Sequence, residues 1–413
     1  MPTIRDIRVI TCRPTTENLV VVRVDTSEPG LYGYGDATFT QRYTPVVRVI
    51  EDYLKPLLIG RDVSAITELW RLMHHNGYWR DGPVLNNAIS GVDLALWDIK
   101  GKQAGMPVHQ LLGGACRPAA AVYRHVSGPD LETVVAAARA YVETGVQHLR
   151  IQVTPKICED TGKLVVATTG YGGSGYFGPR PDGCCNGVFI DPHAYADETD
   201  QMLAGVREAL GDSIKLVHDV HSRLAPADAI ALARRLERHG LFFLEDPLPP
   251  EQTHWLPQLR AASSVPIAIG ELFVKPQDWR PLIERHEIDF LRCHISTLGG
   301  LTPAWRAAAF AEMHGVRTAW HCPKDISPIG VAANLALDVA APNFGIQEFV
   351  EFTPQEREIF SGLPEYRDGY VYPSDRPGWG IEVDEAVAAR YPAGTDVIEW
   401  TQTRSPDGSL ICP

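Results

Sequence analysis

Eight short apolar runs, each ending on a polar or ionisable residue, recur along this chain at a nearly fixed interval. They read AAVYRH to His125, QHLRIQ around Arg150, KLVHD to Asp219, LFFLE to Glu245, PIAIGE to Glu271, DFLRCH to His294, RTAWH to His321 and FGIQE to Glu348. Successive ends are 25, 69, 26, 26, 23, 27 and 27 residues apart. Ala-rich amphipathic stretches lie between them, and such strand-helix alternation favours a parallel sheet. Eight strands at one period, each presenting a functional group at its carboxyl end, is what a (β/α)8-type barrel requires of its active-site face. The one long interval places an insertion over about residues 154–196, rich in Gly, Thr and Pro; segments of that kind serve as lids or binding loops. Its Gly173, Gly175 and Gly178 form a GxGxxG, but Pro-Arg-Pro-Asp-Gly follows instead of a helix start that could hold a pyrophosphate.

Ahead of the periodic region, residues 4–10 (IRDIRVI) and 19–24 (LVVVRV) read as strands of a short antiparallel meander, followed by a Gly-rich break at Gly30, Gly33 and Gly35. Helical spacing runs from Val46 through Leu72 and from Asn86 to Gln103, with Ile89, Val92, Leu96 and Ile99 on one face. Residues 1–117 therefore read as a small α+β domain, 118–366 as the barrel with its insertion, and 367–413 as a segment expected to return to the first domain.

The 38 Lys and Arg against 51 Asp and Glu leave a net charge of −13, which repels nucleic acid and anionic membrane surfaces. No apolar run approaches the roughly 20 residues that span a bilayer, and MPTIRDIRVI lacks the order of a signal peptide, so the expected location is cytosolic. Eight cysteines scattered without CxxC spacing point to free thiols.

Asp219, Glu245 and Glu271 end three consecutive strands, so their carboxylates are expected to converge at the barrel mouth. Three such groups repel one another without a cation, and hard oxygen ligands with room left for water or substrate suit Mg²⁺. A dication would also let this acidic protein bind a small acid. His221 lies two residues beyond Asp219 and faces the same way if the strand continues. Arg292 and His294 share a parity on their strand, and either could turn inward. His74, His75 and His314 fall on expected helices.

The motifs have company. GDATF, VYRH, LRIQ, HDVHSRL, LEDPLPPEQ, IGELF, HxxxDISP and PNFGIQEF, with SGVDLALWDIKGKQAGMPVHQLLGG at residues 90–114, resemble the mandelate-racemase-like branch of the enolase superfamily. Within that branch they are similar to the D-mannonate dehydratase family, which also contains D-gluconate dehydratases. The resemblance covers almost the whole chain. It implies a (β/α)7β TIM-type barrel under an α+β capping domain built from both chain termini, with Mg²⁺ holding a substrate carboxylate and stabilising an enediolate. The implied reaction removes the C2 proton and the 3-hydroxyl of an acid sugar, D-mannonate or D-gluconate, to give a 2-keto-3-deoxy acid.

By the same resemblance, Arg150 lowers the pKa of a loop tyrosine that acts as base, either Tyr171 or Tyr176, with Tyr171 the better match. His221 is then the acid that assists departure of the hydroxyl. Thr40, His125, His321 and Glu348 would line the sugar site, and Asp325 would orient a helix or a neighbouring histidine. Thr40 stands where the family often has Asn, Cys322 and Lys324 stand where smaller residues are common, and the tail SPDGSLICP lacks the aromatic that often closes the site. Lys324 is either an added cation for the substrate or a solvated loop charge. Family members commonly form even homo-oligomers, so self-association is expected. Two rival readings remain open at this point: racemisation or epimerisation at C2, which a Lys-rich second strand would have signalled, and an acid-sugar-binding regulator with little or no dehydratase activity.

Overall fold

The computed structural model describes residues 1–128, 130–153, 188–395, 403–405 and 407–411. Its contacts divide the chain into two units: Met1–Ala121, Gly270–Glu284 and Leu291–Val397 form one, and Val122–Ile269, Arg285–Phe290 and Ile398–Pro413 the other.

The first unit begins with an antiparallel sheet of Ile4–Cys12, Leu19–Thr26 and Tyr32–Asp36, in that order. The third strand occupies the stretch that the glycines mark as a break. Only Gly30 is a turn residue, with φ +83°. Gly33 and Gly35 sit in the strand because the helix Pro83–Ala104 lies almost against its backbone. A Cβ on Gly35 would stand 2.0 Å from the Gly91 carbonyl oxygen, and one on Gly33 2.2 Å from that of Ala95. Pro83 at the first helical position and Gly105 at φ +67° mark the helix ends, as a Pro-start and Gly-stop pattern should. The helix presents Ala88, Ile89, Val92, Ala95, Leu96 and Ile99 to the core that Val20, Val22 and Val24 supply from the sheet. The helical stretch expected from Val46 through Leu72 is interrupted near Gly60, whose φ of +83° ends one helical run before Ile66–His75 begins another.

Residues 379–385 lie on this sheet, whereas residues 398–413, expected to return to the first domain, fall in the second unit. Glu385 accepts from Arg8 Nη1 at 2.7 Å and from Arg23 Nη1 at 3.1 Å, Tyr32 donates to Glu382 at 2.7 Å, and the Trp379 indole donates to the Tyr34 carbonyl at 3.1 Å. The same unit contains three parallel segments. The Ala319 amide donates to Leu291 O and that of His321 to Cys293 O, while Thr318 bridges Phe344 in parallel sense. The helices Leu301–Met313 and Pro328–Ala340 connect them.

The second unit is a run of parallel strands in which Ala120–Gly128 reaches its larger part, followed by His148–Val153, Lys215–Asp219, Phe243–Glu245 and Ile267–Ile269. The helix Leu131–Glu143 joins the first two. The helix after the second strand starts at Pro192, within the stretch assigned to the insertion. Asp191 caps it, accepting from the amides of His193 and Ala194, both at 2.9 Å; an Asp-Pro step is a strong helix start. Thr403–Arg404 pairs in parallel with Val188–Phe189. Among the described residues, Cys12, Cys116, Cys293 and Cys322 are free thiols, and no helix is long and apolar enough to cross a membrane.

The close strand-helix contact gives a direct test. Gly35→Ala forces its new methyl into the helix backbone and should lower the unfolding free energy by about 1–3 kcal/mol, read by denaturant titration. Gly30→Ala meets no neighbour within 4 Å and should lose less.

Candidate active site

In the second unit, two expected ligands stand side by side because their strands are in register. Asp219 pairs with Glu245 across the ladder, and each is the last residue of its strand. Both side chains are fully buried, and one guanidinium lies between them: Arg150 Nη1 is 2.8 Å from Glu245 Oε1 and 3.2 Å from Asp219 Oδ2. Tyr123 donates to Glu245 Oε2 at 3.2 Å and Gln152 to Asp219 Oδ2 at 3.3 Å. Arg150 Nη2 donates to His125 Nδ1 at 3.1 Å. A guanidinium only donates, so His125 Nδ1 accepts and its Nε2 carries the ring proton.

The side chains of this set follow period two on the first two strands. Tyr123 and His125 share one face, Arg150 and Gln152 another, and His125 is in register with Arg150. Tyr123 and Gln152 were not anticipated, although each is two positions from a residue that was. Asp246 was missed for a different reason. The residue after a strand-end glutamate should face away, but the strand stops at Glu245 and Asp246 takes φ +39°. Its carboxylate then lies within 4.8 Å of those of Asp219 and Glu245.

The period-two argument for His221 fails. The strand ends at Asp219, and His221 and Ser222 have φ of +56° and +60°. The turn nevertheless keeps His221 buried beside the ligand strand, and its amide donates to Asp219 Oδ1 at 2.7 Å.

These residues meet the chemical requirements of a divalent-cation site. Three carboxylates gather in a region closed to water, with the Arg150 guanidinium against two of them, a concentration of negative charge where desolvation makes it expensive. An all-oxygen donor set suits a hard cation.

The remaining expected residues belong to the first unit. Glu271 accepts from Arg292 Nη1 at 2.5 Å and lies 3.2 Å from His321 Nε2. Arg292 is completely buried, and its Nη2 reaches Glu348 Oε2 at 2.6 Å; the Cys322 amide donates to the same oxygen at 2.8 Å. Arg292 therefore bridges two carboxylates, while His294 turns to Asp325, 3.6 Å from its Nε2. The Ser296 amide donates to His294 Nδ1 at 3.2 Å. Burial pushes the His321 imidazole down, and neighbouring Glu271 and Asp325 do not restore it. Burial pushes the Asp325 carboxyl up, but His321 and His294 outweigh it and hold the group below its ordinary value. The Thr40 hydroxyl is buried and has no hydrogen-bond partner among the described residues. Lys324 is exposed. Tyr171 and Tyr176 lie outside the described residues.

Asp36 is a further residue that sequence reasoning passed over, although it stands inside GDATF. Completely buried, it accepts from Ser296 Oγ at 2.7 Å, Thr38 Oγ1 at 2.7 Å and the Ser327 amide at 3.0 Å. It thus ties together the turns that bear Thr40, His294 and Asp325.

The chain is similar to known proteins over its whole length. Residues 3–113 match the mandelate racemase / muconate lactonizing enzyme N-terminal domain, and residues 133–387 the enolase C-terminal domain-like family. RspA, a D-galactonate dehydratase family member from Pantoea ananatis, is 48% identical over 412 residues, 99% of each chain. A D-galactonate dehydratase family member from Enterocloster bolteae is 46% identical over 416 residues, 100% of this chain and 99% of its own. Among solved structures, an enolase from Pantoea ananatis with bound D-gluconate and Mg superposes with a TM-score of 0.95 at 47% identity, covering all of both chains. A mandelate racemase/muconate lactonizing enzyme from Jannaschia sp. CCS1 gives 0.80 at 25% identity, over 95% of this chain and 98% of its own.

Removal of the bridging guanidinium tests the charge argument. Without divalent ions, Arg150→Leu should lower the unfolding free energy by about 3–5 kcal/mol, because it leaves buried carboxylates unpaired. Millimolar Mg²⁺ should return part of that loss. A variant as stable as the parent in both conditions would show that these carboxylates do not carry the charge assigned to them.

Proposed function

The chain belongs to the enolase superfamily, with an N-terminal α+β capping domain and a TIM-type barrel domain, and from that premise we propose that it is a Mg²⁺-dependent acid-sugar dehydratase. The observation that carries the reading is the buried carboxylate group of Asp219, Glu245 and Asp246, with the Arg150 guanidinium set between the first two. D-Gluconate is the preferred candidate substrate, since it is bound with Mg in the structure of a relative at 47% identity. D-Galactonate enters from the family name of the relatives, and D-mannonate from the sequence motifs alone.

Asp219, Glu245 and Glu271, the ends of three consecutive strands in the sequence period, would hold the ion. When bound, Mg²⁺ would anchor the substrate carboxylate and offset the negative charge that grows as the C2 proton leaves. The other steps belong to the chain's own groups. Arg150 keeps its proton at any accessible pH, so it cannot be the base; it orients the ligand carboxylates and favours an anionic phenolate nearby, the role assigned to Tyr171. His221 delivers a proton to the 3-hydroxyl as the C3–O bond breaks, so that water leaves. The enol that remains takes a proton at C3 and becomes the 2-keto-3-deoxy acid. Thr40, His125 and His321 hold sugar hydroxyls, and Asp325 orients the neighbouring His294 beside them. Glu348 acts on the substrate through Arg292, which it holds between itself and Glu271.

Incubation with D-gluconate, D-galactonate and D-mannonate in the presence of Mg²⁺, scored for 2-keto-3-deoxy product with a carbonyl reagent, tests the proposal. Product should form with at least one of them and vanish with EDTA. His221→Asn should lower kcat by about 10²–10⁴-fold with Mg²⁺ affinity retained. Folded protein that binds Mg²⁺ and gluconate yet releases no product would instead be an acid-sugar-binding member. Exchange of deuterium into C2 without loss of water would identify an epimerase or racemase.

A further inference from the structure

The residue before Asp219 has no part in the chemistry proposed above, yet it is one of the most completely engaged side chains in the second unit. Side chains alternate along a strand, so His218 faces the side opposite Asp219, where it is 2% exposed. Its Nδ1 lies 2.9 Å from the Ile151 carbonyl oxygen and its Nε2 2.7 Å from the Tyr195 hydroxyl. A carbonyl only accepts, so Nδ1 carries the ring proton and donates it. The Tyr195 hydroxyl then donates to Nε2. Both ring nitrogens are spoken for, and a rotation of the ring would break both bonds.

The place of the Ile151 bond matters. The ladder between the second and third strands runs from His148↔Lys215 to Arg150↔Val217, whereas the second strand stays paired with the first as far as Val153. Past Arg150, the His218 side chain therefore ties the second strand to the third. Ile151 is flanked by Arg150 and Gln152, which point the other way and both donate to Asp219 Oδ2, at 3.2 and 3.3 Å. These distances lie at the long end of the N–H···O range of about 2.7–3.2 Å. A shift of the Ile151 peptide by a few tenths of an ångström would lose them. On the far side, Tyr195 lies in the first turn of the helix Pro192–Leu210. One imidazole thus joins the strand before residue 154, the helix after residue 187 and the strand that ends on Asp219.

We propose that His218 is a positioning residue: by bridging the Ile151 carbonyl and the Tyr195 hydroxyl, it fixes Arg150 and Gln152 on Asp219 and so sets the affinity of that carboxylate for a divalent cation. The link to affinity rests on the reading of Asp219 as a cation ligand; the link to Gln152 and Arg150 does not.

The test uses the full-length protein and three variants, His218→Ala, His218→Asn and Tyr195→Phe, with two readouts: Mg²⁺ binding by titration calorimetry, and crystal structures of each. His218→Ala should weaken Mg²⁺ binding by about 10–100-fold, the usual effect of removing a partner that orients a ligand, and Gln152 should withdraw from Asp219. His218→Asn, whose amide can replace Nδ1–H as donor to Ile151, should recover most of the affinity. Tyr195→Phe should fall between the parent and His218→Ala, and it supplies the same comparison if His218→Ala does not fold. Folded His218→Ala with unchanged or tighter Mg²⁺ binding overturns the proposal, as does Gln152 remaining on Asp219. If the parent protein binds no Mg²⁺, the dehydratase reading falls, and the position of Gln152 in the crystal structures decides the positioning role alone.

Discussion

Arg150 is the contact on which the buried polar interior of the second unit depends. Two carboxylates at the ends of adjacent strands, sealed from water, would repel one another and force the strands apart unless a positive charge stood between them. A guanidinium suits this place better than an ammonium would. It is planar, keeps its charge in low dielectric, and offers several donors in fixed directions. One Arg150 nitrogen serves Glu245 and Asp219 while another reaches His125. Asp246 adds a third carboxylate to the same cluster. Such an all-oxygen donor set is of the kind that hard dications take.

The first unit solves a similar problem with different parts. Arg292 stands between Glu271 and Glu348, both of which it reaches within 2.6 Å. Asp36 has a quieter task. Its carboxylate accepts from two hydroxyls and a backbone amide drawn from three separated stretches of chain. Hydrogen bonds to a charged acceptor are stronger than neutral ones, so this one residue fixes where several turns come together.

Much of this was legible in the chain because a strand-helix repeat is a long-wavelength signal. The interval of 26 residues from Asp219 to Glu245 brought those residues into register as expected. What failed were inferences that extrapolated a local rule past the end of an element. His221 does not follow Asp219 by alternation, and Asp246 does not face away from Glu245, because both lie in turns with positive φ immediately after a strand. Neither Asp nor His announces such a turn as Gly would. Gly33 and Gly35 misled in the opposite direction. They imply a turn by composition, but they are required by a helix that passes within a carbonyl's reach of the strand, and the carbonyls they meet, those of Gly91 and Ala95, lie more than fifty residues further on. The choice between Arg292 and His294 could not be made from parity, since both turn inward toward different acids.

The pairing of Arg8 with Glu385 has a consequence for how the protein comes into being. These residues are separated by 377 positions, so the sheet of residues 4–36 lacks its outer partners until residues 379–385 have been made. At synthesis rates of about 5–20 residues per second, the nascent N-terminal segment spends tens of seconds with Arg8 and Arg23 facing solvent and the carbonyl of Tyr34 awaiting Trp379. Contacts so distant in sequence are slow to form. The emergence of residues 379–385, more than that of any early segment, is therefore the event that lets this sheet complete its contacts.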